Sequence, residues 1–83
     1  MIQIDQSYRG GITVTPSDTA NITFPTGTLY SRAIYVGVSG DVSAVMADGT
    51  TVLFKSVPVG ELKAAVKRIN ATGTTATNLI ALY

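Results

Sequence analysis

The side chains with most acid–base capacity in this 83-residue chain are five carboxylates, Asp5, Asp18, Asp41, Asp48 and Glu61, and the chain holds neither cysteine nor histidine. Acid–base catalysis needs two such groups converging in a cleft, whereas Asp18, Asp41 and Asp48 each stand in a turn context, where an aspartate bonds nearby backbone N–H groups. Glu61 reads as a solvated charge at a strand end. Serine and threonine are plentiful, but a serine nucleophile requires an activating base and histidine is missing. Ser56 beside Lys55 is the pair that is left, and adjacent residues of a strand point to opposite faces. No glycine-rich loop leads into a helix as a phosphate site would require. Free thiolate chemistry and disulfide stapling are both ruled out by composition. The chain therefore reads as non-enzymatic, with no cofactor and no metal centre expected.

Groups suited to recognition are more evident. Tyr8, Tyr30, Tyr35 and Tyr83 combine large area with a polar tip, which suits contacts between subunits or the face of a sugar. Tyr35 fits a core position equally well. Lys63, Lys67 and Arg68 form the basic cluster; on one strand Lys63 and Lys67 share a face, where they meet an acidic partner or keep a sheet edge solvated. A formal charge of +1 is far from the basic face that nucleic acid demands, so DNA and RNA are not expected partners. No apolar run approaches the roughly 20 residues of a membrane span, and the start Met1-Ile2-Gln3-Ile4-Asp5 lacks the basic and apolar regions of a secretion signal, so synthesis in the cytoplasm is expected.

The elements that position these groups read as short strands. Residues 31–55 form three strands separated by Ser39-Gly40-Asp41 and Asp48-Gly49, with Ile34, Val36 and Val38 on one side of the first and Ala33, Tyr35 and Gly37 on the other. Read as a meander, this unit is apolar on both faces. Before it, residues 12–15 alternate as a half-buried strand ended by Pro16, and residues 20–24 alternate again with Ile22 and Phe24 on one side. Residues 1–11, with Ile2 and Ile4 followed by Gly10 and Gly11, read as an arm or edge strand.

After the meander, residues 61–69 fit two periods: Leu62, Ala65, Val66 and Ile69 follow a helix, while Leu62, Ala64 and Val66 alternate as a strand. All-β surroundings favour the strand. Residues 78–83 form a last strand with Leu79, Ala81 and Tyr83 on one side and Ile80 and Leu82 on the other; such a strand is central in a sheet, packed between layers or held against another subunit. The expectation is one all-β domain over residues 12–83, a small β-sandwich or β-barrel of about six to eight short antiparallel strands, preceded by an arm over residues 1–11. A chain this short buries about two-thirds of its unfolded surface, and two-faced apolar strands need more cover than that, which points to self-association.

Three stretches carry a resemblance to a known family: Val14-Thr15-Pro16-Ser17-Asp18-Thr19-Ala20; Arg32-Ala33-Ile34-Tyr35-Val36-Gly37 with Gly40-Asp41-Val42; and Ala71-Thr72-Gly73-Thr74-Thr75-Ala76-Thr77-Asn78-Leu79-Ile80-Ala81-Leu82-Tyr83. In order and spacing they resemble the spike base proteins of gene transfer agents and related tailed phages over about residues 12–83, and residues 1–11 depart from that pattern. The resemblance also favours strand over helix for residues 61–69. It implies a non-enzymatic virion protein on the capsid exterior, acting as a head spike base, decoration or cement protein. Expected partners are further copies of the chain, as a trimer or pentamer, the major capsid protein, and a head fibre. Candidate interface residues are Tyr8, Arg9, Tyr30, Lys63, Lys67, Leu79, Ala81 and Tyr83. A glycan-binding module using Tyr8, Tyr30 or Tyr83 is the alternative.

Overall fold

The computed structural model describes residues 8–83 as seven strands in two antiparallel sheets, a small all-β sandwich. The strands are β1 Gly11–Thr13, β2 Ala33–Val38, β3 Gly40–Met46, β4 Thr51–Val57, β5 Gly60–Leu62, β6 Val66–Ile69 and β7 Thr77–Leu82. One sheet has the order β1-β7-β2-β5 and the other β4-β3-β6. Their facing sides share one core, with Ile34, Val36, Leu79 and Ala81 from the first sheet and Val42, Ala44, Val66 and Ile69 from the second. Complete burial of a Val, Leu or Ile side chain is worth about 1.5–3 kcal/mol, so these small aliphatics carry most of the drive to fold.

The meander expected over residues 31–55 is not formed. β2 and β3 do not pair; β2 lies between β7 and β5, and β3 between β4 and β6. Ser39 alone separates them, so the chain changes sheet there instead of reversing beside itself. The reason lies at Gly40, where the backbone passes so close to the segment before β7 that an added Cβ would stand 2.6 Å from the Ala76 nitrogen. The Asp41 carbonyl accepts from the Thr75 and Ala76 N–H groups at 2.9 and 3.1 Å, and the Asp41 N–H donates to Thr75 Oγ1 at 2.8 Å. These bonds occupy the groups that a β2–β3 hairpin would have used. The crossing turns Ile34 and Val36 to face Val42 and Ala44 across the sandwich, and leaves Val38 exposed at the strand end.

The second turn does form a hairpin. Gly49 has φ +94° and donates to the Met46 carbonyl at 2.9 Å, while the Met46 N–H donates to Thr50 at 2.7 Å, the pattern of a three-residue loop with a left-handed third position. At the far end of the same pair, Lys55 and Ser56 of β4 stand opposite Asp41 alone, a β-bulge in which Ser56 takes φ +54° and donates its N–H to Asp41 Oδ1 at 2.9 Å.

Two further expectations are corrected. Residues 20–24 make no strand: the Ala20 N–H donates to Ser17 Oγ at 3.0 Å and the Ile22 N–H to the Lys67 carbonyl at 2.9 Å, and the segment packs Ile22 and Phe24 over the core as a cover. Residues 61–69 are neither a helix nor one strand. β5 belongs to one sheet and β6 to the other, with residues 63–65 crossing between them. Lys63 lies in the crossing and Lys67 in β6, so the two lysines do not share a strand face. The strand reading of Ile2 and Ile4 lies outside the described residues.

The crossing is held by Ser31, which is wholly buried. Its N–H donates to the Val66 carbonyl at 2.8 Å, its hydroxyl donates to the Ala64 carbonyl at 3.0 Å, and its oxygen accepts the Val66 N–H at 3.1 Å. Removing the hydroxyl leaves the buried Val66 N–H and the partly buried Ala64 carbonyl unpaired. We expect Ser31→Ala to lower unfolding free energy by about 1–3 kcal/mol, measured by urea titration at neutral pH; a loss within error of zero would show that water replaces the hydroxyl. Gly40→Ala is expected to cost about 1–3 kcal/mol through overpacking against Ala76, read as a fall in the thermal midpoint.

Candidate functional site

Half of the interface residues expected from the sequence, Tyr8, Arg9, Tyr30 and Tyr83, meet at one end of the sheet that contains β7. Arg9 and Gly10 run antiparallel to the end of β7, the Arg9 N–H donating to the Tyr83 carbonyl at 3.2 Å and the Tyr83 N–H to Gly10 at 3.0 Å. Gly10 lets the Tyr83 ring lie against the backbone: a Cβ there would be 2.5 Å from the phenol oxygen. The other side of the Tyr83 ring meets Phe24 edge to face, with centroids 6.1 Å apart and planes at 89°. Tyr8 lies against β2 and β5: its ring is 5.6 Å from the Arg32 guanidinium carbon and its hydroxyl donates to Glu61 Oε1 at 3.0 Å. The Tyr8 phenol is held above its ordinary pKa, first by desolvation and then by the bond to the Glu61 carboxylate.

Between these elements and the loop before β2 runs a groove of about 400 Å³ lined by Arg9, Pro25, Thr26, Thr28, Tyr30, Arg32 and Tyr83. Its walls hold two guanidinium groups and two phenols, and none of the lining residues is acidic. Beside it Leu29 is 80% exposed and Tyr30 46%. Single apolar residues at a surface are ordinary; a leucine, two tyrosines and a proline grouped at one end form a patch of the kind that contacts a partner.

The remaining candidates lie elsewhere. Leu79 and Ala81 are 2% and 0% exposed and belong to the core, so the expectation that they form an interface is corrected: the sheet on the other side of the sandwich covers them. Lys63 is exposed in the crossing between sheets, and Lys67 sits by the β3–β4 hairpin, where its charge helps to keep Asp48 ionised. Tyr35 faces outward from β2 opposite Glu61 and Ile80. Arg32, Leu29, Pro25 and Thr28 were not singled out in the sequence, because the loop that groups them has no periodicity to read.

Each described carboxylate has its own partner. Asp18 accepts from the Thr72 N–H at 2.9 Å and its hydroxyl at 2.8 Å; Asp48 accepts from the Thr50 N–H at 3.0 Å and its hydroxyl at 2.7 Å; Asp41 caps Ser56 and lies 3.9 Å from Lys55. Among the described residues no group of three or more His, Cys, Asp or Glu side chains is placed to hold a metal ion. The arrangement suits adhesion to an anionic or aromatic surface rather than proton transfer between paired groups.

No family model matches this chain, and no curated protein matches it. A solved structure described as "Capsid of native GTA particle computed with C5 symmetry" contains a chain of similar fold, with a TM-score of 0.78 and 24% sequence identity over 100% of this chain and 92% of that one. At that identity the likeness establishes a shared two-sheet fold.

The aspartate bonds predict the acid limb of stability. The Thr72 N–H and hydroxyl hold Asp18 below its ordinary value of 3.8, and the Thr50 hydroxyl and N–H do the same for Asp48. The folded state therefore takes up these protons later than the unfolded chain does. The stabilisation is fully present well above pH 3.8, begins to decline as the unfolded chain takes up protons near that value, and is lost as pH falls through the lowered folded values. Asp18→Asn should flatten the fall of the urea midpoint between about pH 5 and about pH 2; an unchanged slope in the variant would remove Asp18 from the account.

Proposed function

We propose that this chain is a non-enzymatic structural protein of a phage-like virion, docked on the outside of the capsid shell as a head spike base, decoration or cement protein. The observation that carries this reading is the patch of exposed Leu29, Tyr30 and Arg9 with half-buried Tyr83 around a mixed aromatic and basic groove, on a fold shared with a chain of a capsid particle. The motif resemblance over residues 12–83 supports the same assignment. In this reading the chain assembles on the shell as a symmetric homo-oligomer, a trimer or a pentamer, and a capsid of fivefold symmetry offers an axis around which five copies fit. The groove end meets the major capsid protein, where guanidinium groups pair with shell carboxylates and the tyrosines and Leu29 are covered. A head fibre is the further partner, on the surface turned away from the shell. Residues 1–11 are in this reading the arm or edge strand of the 12–83 domain.

The double variant Leu29→Asp, Tyr30→Ser tests this directly. Both side chains are solvent-exposed, so the thermal midpoint should stay within a few degrees of the parent, while retention on assembled shells in a co-sedimentation assay falls by about tenfold or more. Retention equal to the parent would refute docking through this end. A second reading draws on the same groove, since Tyr30, Tyr83, Thr26 and Thr28 are groups that hold a sugar ring and its hydroxyls. A glycan array separates the two: the virion reading expects no saccharide to bind, and a specific sugar lost in Tyr30→Ser would favour the module.

A further inference from the structure

The edges of the two sheets are not alike. β1 and β5, the edges of one sheet, are three residues each. In the other sheet the outward side of β6 is taken up by Ser17, Ile22 and Ser31, whose N–H groups donate to the Ile69, Lys67 and Val66 carbonyls at 2.9, 2.9 and 2.8 Å. β4 is seven residues long, pairs with β3 on one side, and among the described residues has no backbone partner on the other. Natural edges of this length are normally blunted by proline, by lysine, by inward charges, by a β-bulge or by a covering loop, and here Lys55 and the Lys55–Ser56 bulge act at the far end of β4 and leave residues 51–54 unblunted. β4 has no proline, and its lysine, Lys55, points outward on the side of Leu53 and lies by Asp41.

The side chains of β4 are also poorly covered. Val52 and Phe54 point to the core side yet lie at its rim, Val52 being 36% exposed and Phe54 partly buried, and Leu53 on the opposite face is 47% exposed. Read as one half of an antiparallel pair about Leu53, the strand is complementary to itself. Leu53 faces Leu53, Val52 faces Phe54 on the core side, and Thr51 faces Lys55 on the other. An aromatic residue opposite a β-branched one is a favourable cross-strand pair, and no like charges meet. The Lys55–Ser56 bulge and Pro58 end the pairable stretch beyond Lys55, so the register has one natural centre.

We propose that β4 of one copy pairs antiparallel with β4 of a second copy about a twofold axis at Leu53, joining two three-stranded sheets into one of six strands. The contact is separate from the groove end and does not depend on docking to a shell. It is isologous, so it closes as a dimer. Each copy supplies the backbone donors and acceptors that the other lacks, and Val52 and Phe54 of one cover those of the other.

Because the chain has no cysteine, a single introduced thiol reports the contact cleanly. Directly opposed residues of an antiparallel pair have Cα atoms about 4.5–5.5 Å apart, within the range a disulfide spans. In the full chain under oxidised glutathione, L53C should convert to a covalent dimer at least about tenfold faster than L29C, whose site is more exposed but lies in the loop before β2. Without oxidant, the parent should show a mass in light scattering that rises with concentration toward twice 8.6 kDa. L53K, which sets two lysines opposite each other, should hold it at the monomer mass with an unchanged thermal midpoint. Equal cross-linking of L53C and L29C overturns the proposal, as does a mass that L53K leaves unchanged. Co-sedimentation with shells that survives in L53K while dimerisation is lost keeps the two contacts distinct.

Discussion

Everything in this molecule depends on one thin apolar layer between two sheets. The side chains that close it are valine, alanine, isoleucine and leucine, with no aromatic ring wholly buried, so the sheets must approach closely and each strand must present the correct face. A domain of this size has little surplus burial to spend on a second layer. The outer sides of the sheets are therefore covered piecemeal, and what is left bare is where another molecule can add stability that the chain does not supply alone.

Because the layer is thin, the crossings between sheets bear much of the cost of specificity. The chain changes sheet four times, between β2 and β3, β4 and β5, β5 and β6, and β6 and β7, and each crossing takes backbone groups out of a ladder. Those groups find partners in side chains and loop backbone. Ser31 serves the crossing between β5 and β6, and the Asp41 backbone with Thr75 and Ala76 serves that between β2 and β3. The side-chain carboxylates likewise work as local acceptors for turns and bulges, with Asp18 on Thr72, Asp48 on Thr50 and Asp41 on Ser56. In a chain with 13% charged residues, structural hydrogen bonding accounts for the aspartates that the structure describes.

The surfaces left bare are of two chemical kinds. At the groove end, arginine and tyrosine side chains are exposed around a concave wall, which suits a partner surface with carboxylates and apolar area. Along β4 it is the backbone itself that is unpaired, which suits another strand. The proposed virion role would need more than one contact face, and these two lie on different elements of the sandwich.

Fold class was legible in the residues: short alternating runs, Gly49 in a hairpin turn and the lack of any long helical period led to an all-β sandwich or barrel, because alternation is a local property of the strand, and the two separate sheets decide for the sandwich. The value of Tyr8, Tyr30 and Tyr83 for contact was legible too, since amphipathic area belongs to the side chain. Pairing was not. The meander over residues 31–55, the strand over 20–24 and the shared face for Lys63 and Lys67 all assumed that neighbours in sequence are neighbours in a sheet, and the crossings at Ser39 and residues 63–65 undo that. Likewise the two apolar sides of β7 were real, but only the stacking of the second sheet shows that Leu79 and Ala81 are already covered within one chain. Composition and period thus determined what each strand is; which strand lies beside it, and so which groups remain exposed, was decided by long-range packing that minimises uncovered apolar surface.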